Sequence, residues 1–145
     1  MENSLVVTNF GELEHNESST KMSIYTTIDS SDVKTLYNLD NASCDFKLND
    51  CKGQNIRVKE VLIKNFDYYK DENGEELETP LNKKITILID DQGKTYVTAS
   101  KIFAIQMLRF IARFGNDVIK DGLEIKITEK DIKGSKNKGL GFELI

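Results

Sequence analysis

Few residues in this chain could do covalent or acid–base chemistry. His15 is the only histidine and falls in a stretch that reads as loop, so proton transfer near neutral pH has little to use. Cys44 and Cys51 sit in a polar stretch with no histidine beside them, which gives no zinc site. A disulfide between them is possible in principle. The opening MENSLVVTNF lacks a basic region and an apolar core, however, so no export signal is expected and reduced thiols are the expectation. Asp90-Asp91 could hold a cation, but acids at a hairpin corner are ordinary turn chemistry. There is no glycine-rich phosphate loop, no Ser/His/Asp set and no Cys/His pair. The expectation is a protein that is not an enzyme and uses no cofactor or metal.

What remains is a set of cations interleaved with rings. Phe66, Tyr68 and Tyr69 end one long strand-like run, and Tyr96 lies in another. The cations are Arg57, Lys59 and Lys64, then Lys83, Lys84, Lys94 and Lys101. A third group, Lys130, Lys133, Lys136 and Lys138, shares its nine-residue stretch with one acid, Asp131, and with Gly134 and Ser135. Single-stranded nucleic acid is held by this combination: cations follow the phosphates and rings stack on bases, at ~1–3 kcal/mol per stack. Each residue also has a plainer reading. Phe66 suits a core, and a lysine-rich loop is commonly just solvated. Tyr68 and Tyr69 precede the acids Asp71, Glu72, Glu75, Glu76 and Glu78, which repel phosphate, so at most one of the two is expected to stack. Tyr96 faces outward if Thr95, Val97 and Ala99 face the core, and inward in the other register.

These side chains must be positioned by the elements around them. Lys83 to Phe114 reads as strand, turn, strand and helix. Ile85, Ile87 and Ile89 alternate with Thr86, Leu88 and Asp90, Asp91-Gln92-Gly93 turns, and Lys94 to Ala99 returns as a strand. Ser100 caps a helix so apolar that it should plug something, and Gly115 ends it. Upstream, Gln54 to Tyr69 is a long strand whose alternation breaks near Glu60-Val61-Leu62-Ile63, as a β-bulge would cause. Lys70 to Asn82, with Asn73-Gly74 and the lone Pro80, reads as a hairpin loop. Gly122 to Glu129 and Gly139 to Ile145 are further strands. Before all of this come a polar start (1–20), a strand at Lys21 to Ile28, a short helix at Asp32 to Asn38 capped by Ser30 or Ser31 with Val33, Leu36 and Tyr37 on one face, and a loop to Lys52.

The 145 residues suit one domain with an extension. No apolar run is long enough for a membrane span. Net charge is −4, yet residues 1–50 hold nine acids against three bases, and residues 51–145 hold fifteen against seventeen. The acidity thus belongs to the first third, and the rest is slightly basic. From residue 53 onward the order is strand, strand, strand, helix, strand, strand. That predicts a mainly β chain: a five-stranded Greek-key OB-fold barrel over 53–145, its helix between the third and fourth strands, behind an acidic strand-and-helix extension over 1–52. A helix on an open antiparallel sheet is the other architecture.

The chain also resembles the small single-stranded DNA-binding proteins encoded by phages and mobile elements of low-GC Gram-positive bacteria. The resemblance rests on the strand Asn55 to Phe66, on DENGEE at Asp71 to Glu76, on ILIDDQGKTYVTAS at Ile87 to Ser100 and on IARFG at Ile111 to Gly115, with LYNLDNAS at Leu36 to Ser43 also similar. It implies an OB-type fold that binds single-stranded DNA without sequence preference during replication or recombination, in the cytoplasm of a bacterial host. Replication or recombination proteins would be partners. Two other readings stand beside it: a protein-interaction module of a replication or virion assembly, and an RNA-binding OB protein. A homo-oligomer is expected, because Leu5-Val6-Val7 and the strand at Lys21 to Ile28 could pair with an open edge.

Overall fold

The computed structural model describes residues 6–12, 20–41, 43–71, 73–131, 134 and 138–145. It is mainly β, with one strongly curled half-barrel sheet. The strands are β1 (Val6–Glu12), β2 (Thr20–Thr26), β3 (Phe46–Lys47), β4 (Asn55–Lys70), β5 (Glu76–Asp90), β6 (Thr95–Thr98), β7 (Leu123–Asp131) and β8 (Lys138–Leu144). Among the described residues three α-helices accompany them: α1 (Val33–Asn41), α2 (Lys101–Phe114) and the single turn α3 (Asp117–Lys120). The sheet order is β1-β2-β4-β5-β6-β3, with β7 added to β4 and β8 to β7. Among the described residues no helix is long and apolar enough to cross a membrane.

Strand β4 organises the sheet. One of its edges pairs with β5, while β2 takes Leu62 to Tyr68 and β7 takes Asn55 to Val58. The changeover falls at a register shift between Val58 and Glu60, where Lys59 is the extra residue. The shift changes which residues face inward: Ile56 and Val58 point into the main core before it, Val61 and Ile63 after it. The expected bulge is therefore present and lets one strand serve both parts of the curl.

Thr27 and Glu60 fill the corner that the bulge opens. The fully buried Thr27 hydroxyl donates to Glu60 Oε1 at 2.7 Å and accepts from Val61 N–H at 2.9 Å. Lys120 on α3 donates to Glu60 at 3.1 Å and to the Thr27 carbonyl at 2.8 Å. Thr27→Val keeps the shape but leaves Val61 N–H without a buried partner, so stability is expected to fall by ~1–3 kcal/mol. Urea melts read this directly, and a midpoint equal to the parent's would show that the corner does not depend on the hydroxyl.

Helix α2 plugs the curl, as its composition suggests. Phe103, Ala104, Met107 and Ile111 are buried against residues of β4, β5, β7 and β8. Ser100 Oγ accepts from Phe103 N–H at 3.3 Å, and Gly115 ends the helix at φ 84°. The same helix covers the outer edge of β8. Ser100 Oγ also accepts from Leu140 N–H, and the Gln106 amide both accepts from Phe142 N–H at 3.1 Å and donates to the Phe142 carbonyl at 2.7 Å. Such side-chain bonds satisfy an edge that would otherwise invite another strand. The approach is tight: a Cβ at Gly141 would run into Lys130 and Gln106.

The N-terminal elements continue the same sheet. β2 pairs with β4, and β1 lies outside β2 as an edge strand. The strand expected to seek an edge in another chain thus finds it within its own. Helix α1 starts one residue later than expected, at Val33, and is capped by Asp32 rather than by a serine: Asp32 Oδ1 accepts from Thr35 N–H. Leu36 and Leu39 pack over Ile24, Leu62 and Ile87, forming a second, smaller core on the outer side of the sheet. Val33 and Tyr37, read with Leu36 as one apolar face, are instead exposed.

Candidate nucleic-acid interface

Strands β4 and β5 run well beyond the core as a long arm. The stretch Lys70 to Asn82, expected as loop, is mostly strand: the connection is only 71–75, and β5 begins at Glu76. Asp71 holds the turn by accepting from the N–H groups of Asn73 and Glu75, both at 2.9 Å. Pro80 lies where the ladder is irregular, between the Tyr68–Leu81 and Lys70–Glu76 pairs, so its missing N–H breaks no regular bond.

Cross-strand pairing sorts the arm's side chains onto two faces. Phe66 pairs with Lys83, Tyr68 with Leu81 and Lys64 with Ile85, so these six share the outer face. The Phe66 and Tyr68 rings are 6.2 Å apart and inclined by only 20°. The Lys83 ammonium stands 5.6 Å from the Tyr68 ring centre. Both rings are half-buried and Lys83 is exposed. Four of the expected site residues, Lys64, Phe66, Tyr68 and Lys83, are thereby brought together on one accessible strip.

The inner face of the arm is different in kind. Asn82 donates to Asn65 at 2.8 Å and to Asp67 at 2.6 Å, and Lys84 donates to Asn65 and to Asn82. Burial, then the charge of Lys101, pushes the Lys84 ammonium below the ordinary lysine range, with Asp67 acting the other way. Tyr69 lies on this side with the Lys21 ammonium 5.6 Å from its ring centre. Tyr68 and Tyr69 therefore face opposite ways, and only Tyr68 can work with Phe66. Lys21 was not singled out from sequence, because only the β2–β4 register brings it here.

Tyr96 takes the inward of its two registers. It pairs with Leu88, packs on the main core and stacks with Phe46 at 5.2 Å. Its hydroxyl donates to Asp90 Oδ2 at 2.8 Å. Burial and this bond push the phenol well above its ordinary pKa. An outward base-stacking role for Tyr96 is corrected by this geometry: its ring is taken by Phe46 and the core. Asp90 is likewise occupied, since its other oxygen accepts from the N–H groups of Gln92 and Lys94. Tyr96→Phe is expected to cost stability at the lower end of the ~1.5–3 kcal/mol of a hydrogen bond to a charged group. Nucleic-acid affinity per folded molecule should not change, and paired melts and titrations would detect any loss.

The other expected residues do not join the strip. Arg57 is paired with Glu124 at 3.4 Å on β7, and Lys94 is exposed in the β5–β6 turn, both at the opposite end of β4 from the arm. Lys59 is used in the bulge. Lys101 opens α2 near Lys84, and Lys130 lies across Gly141. Lys133 and Lys136 lie outside the described residues, and Lys138 opens β8 opposite Asp131.

Cys44 and Cys51 are free thiols that line one hollow of about 660 Å³ with Phe46, Asp45, Asp50 and Tyr96. Burial and then the Asp50 charge push the Cys51 thiol up, which keeps it protonated and a poor nucleophile. The two exposed acids make this hollow a poor seat for phosphate. No protein-family model, curated protein or solved structure matches the chain.

Proposed function

We propose that this protein binds single-stranded DNA with little sequence preference, on an OB-type barrel, and serves replication or recombination in a bacterial cell. The observation that carries the reading is the outer strip of the arm, where Phe66 and Tyr68 stand nearly parallel beside Lys83 and Lys64. Rings at alternate positions of one strand offer faces to successive bases, and lysines beside them meet the phosphates between. The acids of the tip, Asp71, Glu75, Glu76 and Glu78, lie beyond this strip and bound it on one side. A barrel of OB type is supported by β4 pairing with both β5 and β7, and by α2 standing between β6 and β7. Duplex DNA holds its bases in the stack, so the rings add nothing there and single strands should bind more tightly. Anisotropy titrations of labelled oligo-dT, oligo-rU and duplex DNA at low salt test this. Tighter binding of duplex, or none of oligo-dT, would overturn the reading, and a clear preference for oligo-rU would move it to RNA.

A further inference from the structure

A second cationic surface lies away from the arm, along the seam between α2 and β8. Three shallow hollows follow one another there. The first, at Ser100, Lys101 and Gly139, shares Ile102 with the second, and the second shares Gln106 and Arg109 with the third, which ends at Arg113 and Phe114. Together they make one furrow along the whole helix, ~20 Å at 1.5 Å per residue. Among the described residues none that lines it is acidic. The one acid of β8, Glu143, stands opposite Lys126 on the neighbouring strand.

Lys101, Arg109 and Arg113 are all exposed, and among the described residues none is in an ion pair. Arg109 and Arg113 are one helical turn apart, ~6 Å along the axis, and Lys101 lies ~12 Å before Arg109. That spacing suits successive phosphates of a stretched strand. Phe114 is 54% exposed, and the Arg113 guanidinium sits 5.6 Å from its ring centre, a flat pair on which a base can stack. An extended peptide would need free main-chain groups, and on β8 the N–H groups of Leu140 and Phe142 and the Phe142 carbonyl are already used by Ser100 and Gln106. A polyanion held through side chains has no such need. At its Lys101 end the furrow meets the inner face of the arm, where Lys84 feels the Lys101 charge.

We infer that the α2–β8 furrow is a second track for single-stranded DNA, taken by a strand long enough to reach past the arm. This rests on the arm reading above. Each phosphate contact contributes about 0.7 to the slope of log affinity against log salt for single strands. The full-length Arg109→Ala/Arg113→Ala variant should therefore lose about 1.4 from that slope on an oligo-dT of about 30 nucleotides, which is longer than the ~4–16 that one OB fold covers. Between 50 and 200 mM salt this makes its affinity fall about seven-fold less than the parent's. On an oligo of about 6 nucleotides, held at the arm, parent and variant should match. Both arginines are exposed, so melting temperatures should also match and identify any variant that misfolds. In that event Arg109→Gln/Arg113→Gln is titrated in its place. A parent that binds oligo-dT with a slope unmoved by the variant overturns the furrow and leaves the arm standing. The same result with a poly-glutamate peptide bound by the parent and lost by the variant assigns the furrow to acidic protein instead, and also overturns it. A parent that binds no oligo-dT overturns both readings.

Discussion

Alanine at both Phe66 and Tyr68 is expected to remove most of the affinity for oligo-dT while leaving the fold in place. Each base–ring stack is worth ~1–3 kcal/mol, so each ring lost should weaken binding about 5- to 150-fold. The rings are half-buried on the outer face of the arm and belong to neither core cluster. Their removal should therefore cost far less stability than a core truncation. Tyr69→Ala is the matched control, because Tyr69 lies on the opposite face against Lys21. Its affinity should stay near the parent's. If the double variant folds and binds like the parent, or if Tyr69→Ala is equally damaging, the outer strip is not where bases stack.

The largest effect on stability is expected at Phe103. Its side chain is fully buried at the first turn of α2, with its ring 5.4 Å from that of Phe142 on β8. It joins the helix to the last strand at the place where the curl is closed by side chains rather than by strand pairing. Phe103→Ala should lower stability by ~3–5 kcal/mol, the range for removing a buried ring and leaving a cavity. Chemical denaturation measures this, and oligo-dT affinity corrected for the folded fraction should not move. A loss below ~1 kcal/mol would mean that α2 rests on the sheet without plugging it.

The central hairpin and helix were legible because each device there is local. Alternation in β5, Gly93 in the turn, the Ser100 cap and Gly115 at φ 84° all act within a few residues of themselves. The bulge was legible too, since a change in which residues face inward leaves a break in the alternation. The length of the arm was not. Lys70 to Asn82 is charged and holds a proline, and it stays extended through cross-strand pairs and the Asn65–Asn82–Asp67 bonds, which no local pattern announces. The register of Tyr96 was hidden for a related reason. Thr86, Ile87 and Leu88 are buried in succession because β5 has a core on both faces, so alternation no longer says which side is inside. Helix α1 misled in the same way: it turns Leu36 and Leu39, not Val33 and Tyr37, to the second core.

The candidate site was readable as a set of residue types, but not as a surface. Phe66 and Lys83 are far apart in the chain and meet only through the β4–β5 register. Arg57 and Lys59 look equivalent to Lys64 in sequence, yet the bulge and the Glu124 pair commit them elsewhere. Arg109 and Arg113 do not stand out in the sequence because the apolar majority of α2 marks it as core, and only its packing shows which side remains exposed.

Ultraviolet cross-linking of the full chain to oligo-dT, with the attached peptides identified by mass spectrometry, tests the central claim most directly. Cross-links at Phe66 or Tyr68 are the predicted result, fading as salt rises. Efficient cross-linking that never touches the arm between Lys64 and Lys83, or none at any salt concentration, would contradict it.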